Sequence, residues 1–84
     1  MSKLKLTIVT PEKAVASEEV DEVVIPGIAG EFGVLPEHTT FLTALGQGTL
    51  TYKKQNSSKS FQISGGFCEV RENQVTVFAD SVEG

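Results

Sequence analysis

Apolar and polar residues alternate with a period of two along most of this chain. Leu4, Leu6 and Ile8 alternate with Lys3, Lys5 and Thr7, the mark of a half-buried strand. Thr10-Pro11-Glu12-Lys13 reads as a turn, with Pro11 at the second turn position. Ala14 to Ser17 is a weak strand, and Val20 to Ile25, rich in β-branched residues, is a stronger one. Thr40 to Leu45 is a further short strand, and Gly46-Gln47-Gly48 reads as a turn. Thr49 to Lys54 places Leu50 and Tyr52 on one face and Thr49, Thr51 and Lys53 on the other. Gln55 to Ser58 is a polar hairpin loop, and Ser60 to Ser64 returns with Phe61 and Ile63 inward. Gly65-Gly66 marks a bulge or tight corner. Phe67 to Val70 and Gln74 to Ala79 form a last hairpin across Arg71-Glu72-Asn73. No stretch keeps a helical period over three turns. The pattern therefore predicts an all-β fold, a flattened sandwich or barrel of about ten short strands.

One stretch departs from the alternation. Pro26 to Thr40 holds two of the three prolines, the glycines Gly27, Gly30 and Gly33, and the single histidine, His38. Glycine admits positive φ and close approach of a partner. Proline fixes its own φ and keeps the preceding residue extended. The stretch reads as a shaped turn with a short extended piece from Phe32 to Leu35. Its polar groups are few, namely Glu31, Glu37 and His38. A rigid loop of this kind suits docking to another protein better than chemistry.

Length and charge narrow the function. The 84 residues make one domain. A domain of this size buries about 60% of its unfolded surface or a little more and has a stability of roughly 5 kcal/mol. A permanent partner would add to that by mass action, although many domains of this size fold alone. The net charge of −4 argues against nucleic acid, which requires a basic footprint, and against direct binding to an anionic membrane. No basic-then-apolar leader and no long apolar run is visible, so no direct membrane insertion is expected. If the chain works at a membrane, another subunit holds it there.

The residues that could carry chemistry do not assemble into a site. Cys68 is the single cysteine, so no disulfide framework and no thiolate metal cluster is expected. Cys68 and His38 together could in principle make a thiol nucleophile, but a buried strand cysteine is far commoner. One histidine does not make the His-rich metal site of a small barrel. The Gly27/Gly30/Gly33 spacing is neither a dinucleotide fingerprint nor a phosphate-binding loop, and no serine lies in a Gly-x-Ser-x-Gly elbow. The acid pair Asp21–Glu22 reads as the solvated edge of a strand. No cofactor is expected. The residues by themselves describe a non-enzymatic interaction module.

Several motifs in register carry a resemblance. Ile8-Val9-Thr10-Pro11-Glu12-Lys13 is similar to the opening of the epsilon subunit of bacterial and chloroplast F-type ATP synthases. Gly30-Glu31-Phe32-Gly33-Val34-Leu35-Pro36 followed by His38 resembles that family's Gly-Glu-hydrophobic-Gly-hydrophobic-hydrophobic-Pro-Gly-His loop. Leu42-Thr43-Ala44-Leu45, Gly48, Ser64-Gly65-Gly66-Phe67, Glu69-Val70 and Val75-Thr76-Val77-Phe78-Ala79-Asp80 match in order. The resemblance covers residues 1–84, essentially the whole chain.

It implies the epsilon N-terminal β-sandwich, a central-stalk domain that binds the gamma subunit and rests on the membrane ring of c subunits. Such a domain rotates with both and couples proton flow to ATP synthesis. It is non-catalytic and part of a hetero-oligomer, with the nucleotide sites on alpha and beta. It implies a peripheral location on the cytoplasmic face of a bacterial inner membrane, or on the stromal face of a thylakoid. The c-ring contact is expected at Ile28, Ala29, Gly30, Glu31, Phe32 and Gly33, and the gamma contact at His38, Thr39, Thr40 and Leu42. The alternative outside this family is a stand-alone β-sandwich binding or adaptor module. A stand-alone β-barrel that binds a small ligand or is a minimal enzyme would require a deep apolar pocket with convergent polar groups, whereas a filled interior with a separate exposed apolar patch favours the stalk reading; a generic adaptor with an unrelated partner is a third possibility.

Two features depart from the family pattern. Glu37 stands where the family usually has glycine. The family also usually continues into a C-terminal helical hairpin, and five residues follow Ala79 here. An isolated piece of that length holds no helix in water, so the 84 residues are expected to couple gamma to the ring without the extended-helix brake and without that hairpin's ATP site.

Overall fold

The computed structural model describes residues 3–37 and 40–84. Eight strands follow in order: β1 Leu4–Val9, β2 Ala14–Val20, β3 Glu22–Gly27, β4 Gly30–Val34, β5 Phe41–Ala44, β6 Gln47–Lys54, β7 Ser57–Arg71 and β8 Gln74–Glu83. They form one hydrogen-bonded sheet in the order β2-β1-β8-β7-β6-β3-β4, with β5 also paired to β7. All neighbours are antiparallel except β1 and β8, which run parallel from Lys5 opposite Gln74 to Val9 opposite Phe78.

This sheet folds over on itself because its long strands bend. In β7 the buried side chains are Phe61 and Ile63 before the bend and Cys68 and Val70 after it. The inward phase switches between Ile63 and Cys68, at Gly65-Gly66. β8 switches likewise between Ala79 and the partly buried Val82, and the β5–β6 run switches between Leu45 and Leu50. The pairings with β7 keep step across the bend, Ala44 facing Phe67 and Gln47 facing Ser64. The corner of β7 is glycine because Gly65 and Gly66 hold φ of 73° and 110°, values that favour a residue without Cβ.

One layer holds β2, β1, the first half of β8, the second half of β7, and β5. The other holds the remaining halves of β8 and β7 with β6, β3 and β4. Counted by halves, the bent β7 and β8 bring the eight strands to the ten short ones expected from the alternation.

Leu4, Leu6, Ile8, Val23, Ile25, Leu50, Ile63, Val75 and Val77 fill the space between the layers and are almost wholly buried. Full burial of each such side chain is worth about 1.5–3 kcal/mol. No polar or charged residue is buried among those described, so specificity comes from shape and from the surface.

Boundaries moved at several points. Val20 ends β2, buried opposite Leu4, and does not open β3. Asp21 is the residue at which the chain crosses between layers. A run of β-branched residues gives no sign of where it crosses. Gly46-Gln47-Gly48 is no reversing turn, since Gln47 and Gly48 are already paired to β7. The two hairpin loops shrink to Gln55-Asn56 and Glu72-Asn73. Glu72 and Asn73 both hold positive φ, the geometry of a tight two-residue hairpin turn. Before β2, Thr10 caps the turn: its Oγ1 accepts from the N–H groups of Glu12 and Lys13, each at 3.3 Å.

Candidate functional site: an exposed hairpin tip and an apolar belt

The stretch Pro26 to Thr40 is only partly a turn. Gly30–Val34 is a strand, paired with β3 from Gly27 opposite Gly30 to Val23 opposite Val34. The tip of this β3–β4 hairpin is Ile28-Ala29, and Ile28 is 71% exposed. Ala29, Gly30, Glu31 and Gly33 are also exposed, and Glu31 stands one pair back from the tip, opposite Pro26. Phe32 turns the other way. It packs against the core and meets Phe41 edge-on, with ring centroids 5.1 Å apart. Five of the six residues expected at a c-ring contact are thus exposed on this hairpin, at its tip or along β4 behind it, and Phe32 packs beneath.

Of the residues expected at a gamma contact, Thr40 is exposed and Leu42 is 66% exposed. His38 and Thr39 lie outside the described residues. Glu37, just before them, holds a φ of 69° and donates its backbone N–H to Asn73 Oδ1 at 2.5 Å. The left-handed backbone is a physical reason for glycine at this position in the family pattern, because a Cβ there costs roughly 1–2 kcal/mol.

Leu42 borders a larger feature. Across the outer face of the first layer, Ala44 faces Phe67, Phe67 faces Phe78, and Phe78 faces Val9. Phe67 and Phe78 stack with centroids 4.8 Å apart, yet remain 47% and 37% exposed. The Ile28 N–H donates to Ala44 O at 3.0 Å, which joins the hairpin tip to this row. The result is an apolar belt from Ile28 through Ala44, Phe67 and Phe78 to Val9. Isolated exposed apolar residues are ordinary, but a contiguous run marks an interaction surface. Phe67 and Phe78 are not among the residues expected at either contact. The signal was available: each falls on the strand phase opposite its buried neighbours, Cys68 and Val70 for one, Val77 and Ala79 for the other.

The polar groups hold corners of the sandwich. Tyr52 on β6 donates its hydroxyl to Glu18 on β2, and Lys54 Nζ donates to the other Glu18 oxygen at 3.0 Å. These bonds keep the Glu18 carboxyl below the usual range, Tyr52 contributing most. Tyr52 is pushed up to about 12, by burial first and by Glu18 second. Asp21 accepts from Lys3 Nζ at 2.6 Å and from the Gln55 backbone N–H at 2.8 Å, and its carboxyl too is lowered, chiefly by Lys3. The acid at the layer crossing is thus a corner clasp rather than one of a catalytic pair. Cys68 is fully buried, and its thiol is pushed up to about 12 by that burial, with Glu69 adding to it. A thiol in that setting is a poor nucleophile.

Fold and surface together define a small β-sandwich domain with a filled interior, an exposed hairpin tip and an apolar belt. Residues 3–84 match the family model of the ATP synthase delta/epsilon chain beta-sandwich domain. The chain belongs to that family. It is 55% identical over 80 residues to the ATP synthase epsilon chain of Nitratidesulfovibrio vulgaris strain DP4, covering 95% of this chain and 60% of the relative. It is 54% identical over 83 residues to the ATP synthase epsilon chain of Dehalococcoides mccartyi strain CBDB1, covering 99% and 59%. The chain therefore spans about 60% of the length of these relatives. Among solved structures, a chain of the Euglena gracilis mitochondrial ATP synthase OSCP/F1/c-ring assembly superposes with a TM-score of 0.89 at 25% identity, over 95% of this chain and 52% of that one. A chain of the Tetrahymena thermophila mitochondrial ATP synthase central stalk and c-ring shares the fold, with a TM-score of 0.80 at 19% identity, over 96% of this chain and 66% of that one.

Proposed function

We propose that this chain is the β-sandwich part of an ATP synthase epsilon subunit, a non-catalytic central-stalk component that binds gamma and rests on the c-ring. The observation that carries the reading is the family match over residues 3–84. The surface supports it: the layers are filled with side chains, and of the large apolar groups left open Leu42, Phe67 and Phe78 lie on or beside the outer belt and Ile28 at the hairpin tip, with Leu35 apart from both. Such a domain works by holding two partners in a fixed relation. The belt beside Leu42 offers apolar area to gamma, and the tip Ile28–Gly33 offers backbone, Ile28 and the Glu31 carboxylate to the polar loops of the ring. Torque then passes through a sandwich whose strands are tied in one continuous ladder, coupling proton flow to ATP synthesis. Its acidic net charge of −4 suits contact with proteins rather than with an anionic bilayer, so the domain sits peripherally, held at the cytoplasmic face by its partners.

The test is recovery of gamma from solubilised membranes with the tagged chain as bait. Gamma in the eluate supports the reading, and its absence overturns it. For the tip, a cysteine at Ile28 or Glu31 is expected to cross-link to cysteines in the c-ring loops of the assembled enzyme, and failure at both positions removes the ring contact.

A further inference from the structure

Beside the stacked phenylalanines lies a feature that the belt alone does not explain. Val9, Thr10 and Pro11 on one side and Gly66, Phe67, Phe78, Ala79 and Asp80 on the other enclose an open cleft of about 250 Å³. Its walls are mostly carbon: the two rings, Pro11, Val9 and Ala79. Gly66 lies against β8, where a side chain would collide with the Phe78 carbonyl, so that part of the wall stays bare. One charged side chain stands at the edge. Asp80 is exposed, and among the described residues no ion pair or hydrogen bond engages its carboxylate. A pit lined by carbon with a single unpaired acid at its rim has a complementary shape: a large apolar side chain with a lysine or arginine beside it.

We infer that this cleft is an anchor site on the gamma-facing surface, taking a large apolar side chain of gamma while Asp80 pairs with a neighbouring basic residue. The inference rests on the proposed function and adds to it the chemistry of the partner segment. Three observations bear on the occupant. The cleft continues the apolar belt through Phe67, which pairs with Ala44 on the strand that carries Leu42. The acid at its rim selects a basic partner and repels a second acidic surface such as another copy of this chain, whose net charge is −4. The walls belong to strands and a capped turn, so they are formed before a partner arrives, which lowers the ordering cost of binding. Buried apolar anchors dominate interface energy and rim charges tune rate and salt dependence, so the two halves of the cleft have separable signatures.

The experiment measures binding of the chain to the gamma subunit assembled with its alpha and beta partners, at about 50 mM and about 300 mM KCl, where charge interactions are screened to different extents. Phe78→Ala is expected to weaken binding about tenfold or more at both salt concentrations. Asp80→Asn is expected to weaken it about threefold at low salt and to match the wild type at high salt. Circular dichroism establishes that each variant is folded. If Phe78→Ala does not fold, the surface substitution at Asp80 decides alone through its salt dependence. Wild-type affinity for both variants, with the wild type itself binding, overturns the cleft and leaves the proposed function standing. Failure of the wild type to bind gamma overturns both. A wild-type dimer that Phe78→Ala abolishes assigns the cleft to a second copy and overturns the inference.

Discussion

Gly66 is the position at which a single methyl group should do most damage. A Cβ added there would lie 1.9 Å from Phe78 O and 2.9 Å from Ala79 Cα, and the residue holds a φ of 110°. Both obstacles are backbone, so neither can rotate away. The positive φ costs about 1–3 kcal/mol in a residue with a side chain, and forcing an extra carbon into a packed site costs about 1–3 kcal/mol more. Gly66→Ala should therefore lose about 2–6 kcal/mol, against a total of about 4–12 kcal/mol for a chain of this length. At about 4–8 °C per kcal/mol for a domain of this size, the melting temperature should fall by about 8–48 °C. Two companions isolate the cause. At Gly65 the φ is 73°, and an added Cβ would meet a movable group, Asp80 Oδ2, at 2.5 Å, so Gly65→Ala should cost about 1–2 kcal/mol. At Gly33 nothing lies within 4 Å and the backbone is ordinary, so Gly33→Ala should gain about 0.5 kcal/mol through the unfolded chain. Far-UV circular dichroism during heating and urea titration reads all three. A Gly66→Ala protein that melts within about 4 °C of Gly33→Ala would refute the bent-strand account of the sandwich.

The ionisable groups and the buried thiol set the response to pH and to reagents. Glu18 and Asp21 titrate below their ordinary 4.5 and 3.8; their contribution is present above those values and is lost as pH falls through the lowered folded ones, so stability should drop on acidification below about pH 5. Tyr52→Phe should unfold in less urea than wild type at pH 7, and the gap should close at low pH; a gap that persists at pH 2 contradicts the assignment to Glu18. At alkaline pH the sign reverses: Tyr52 and Cys68, both raised to about 12, contribute below their ordinary 10.0 and 9.0 and lose that contribution as pH climbs towards 12. The Cys68 thiol should resist a disulfide reagent at pH 8 and react at once in urea; rapid reaction of the folded chain contradicts its burial. Glu37→Gly should raise stability by about 0.5 kcal/mol, the relief of the left-handed strain of 69° less the greater entropy of the unfolded chain, and a loss of more than about 0.5 kcal/mol would show that strain is not what the position feels.

The alternation of Leu4, Leu6 and Ile8, of Leu50 and Tyr52, and of Phe61 and Ile63 was sufficient to name an all-β class and most of its inward residues, because the side-chain period of a strand is local. The Pro11 turn and the Gly65-Gly66 corner were legible for the same reason: proline and glycine act on their own φ. The family match, too, is written in short motifs that need no partner in space. What the chain did not reveal was which neighbours share a surface. Whether Val20 closes one strand or opens the next depends on Leu4, sixteen positions earlier, and β-branched residues suit both choices. That Gly46-Gln47-Gly48 bends a strand without reversing it depends on β7 opposite. The cleft beside Asp80 draws Val9 and Pro11 from the start of the chain and Phe78 from its end, joined by the parallel pairing of β1 with β8. Phase along a strand belongs to the sequence. Which phase faces solvent at a given point passes to the tertiary structure once the strands bend from one layer into the other.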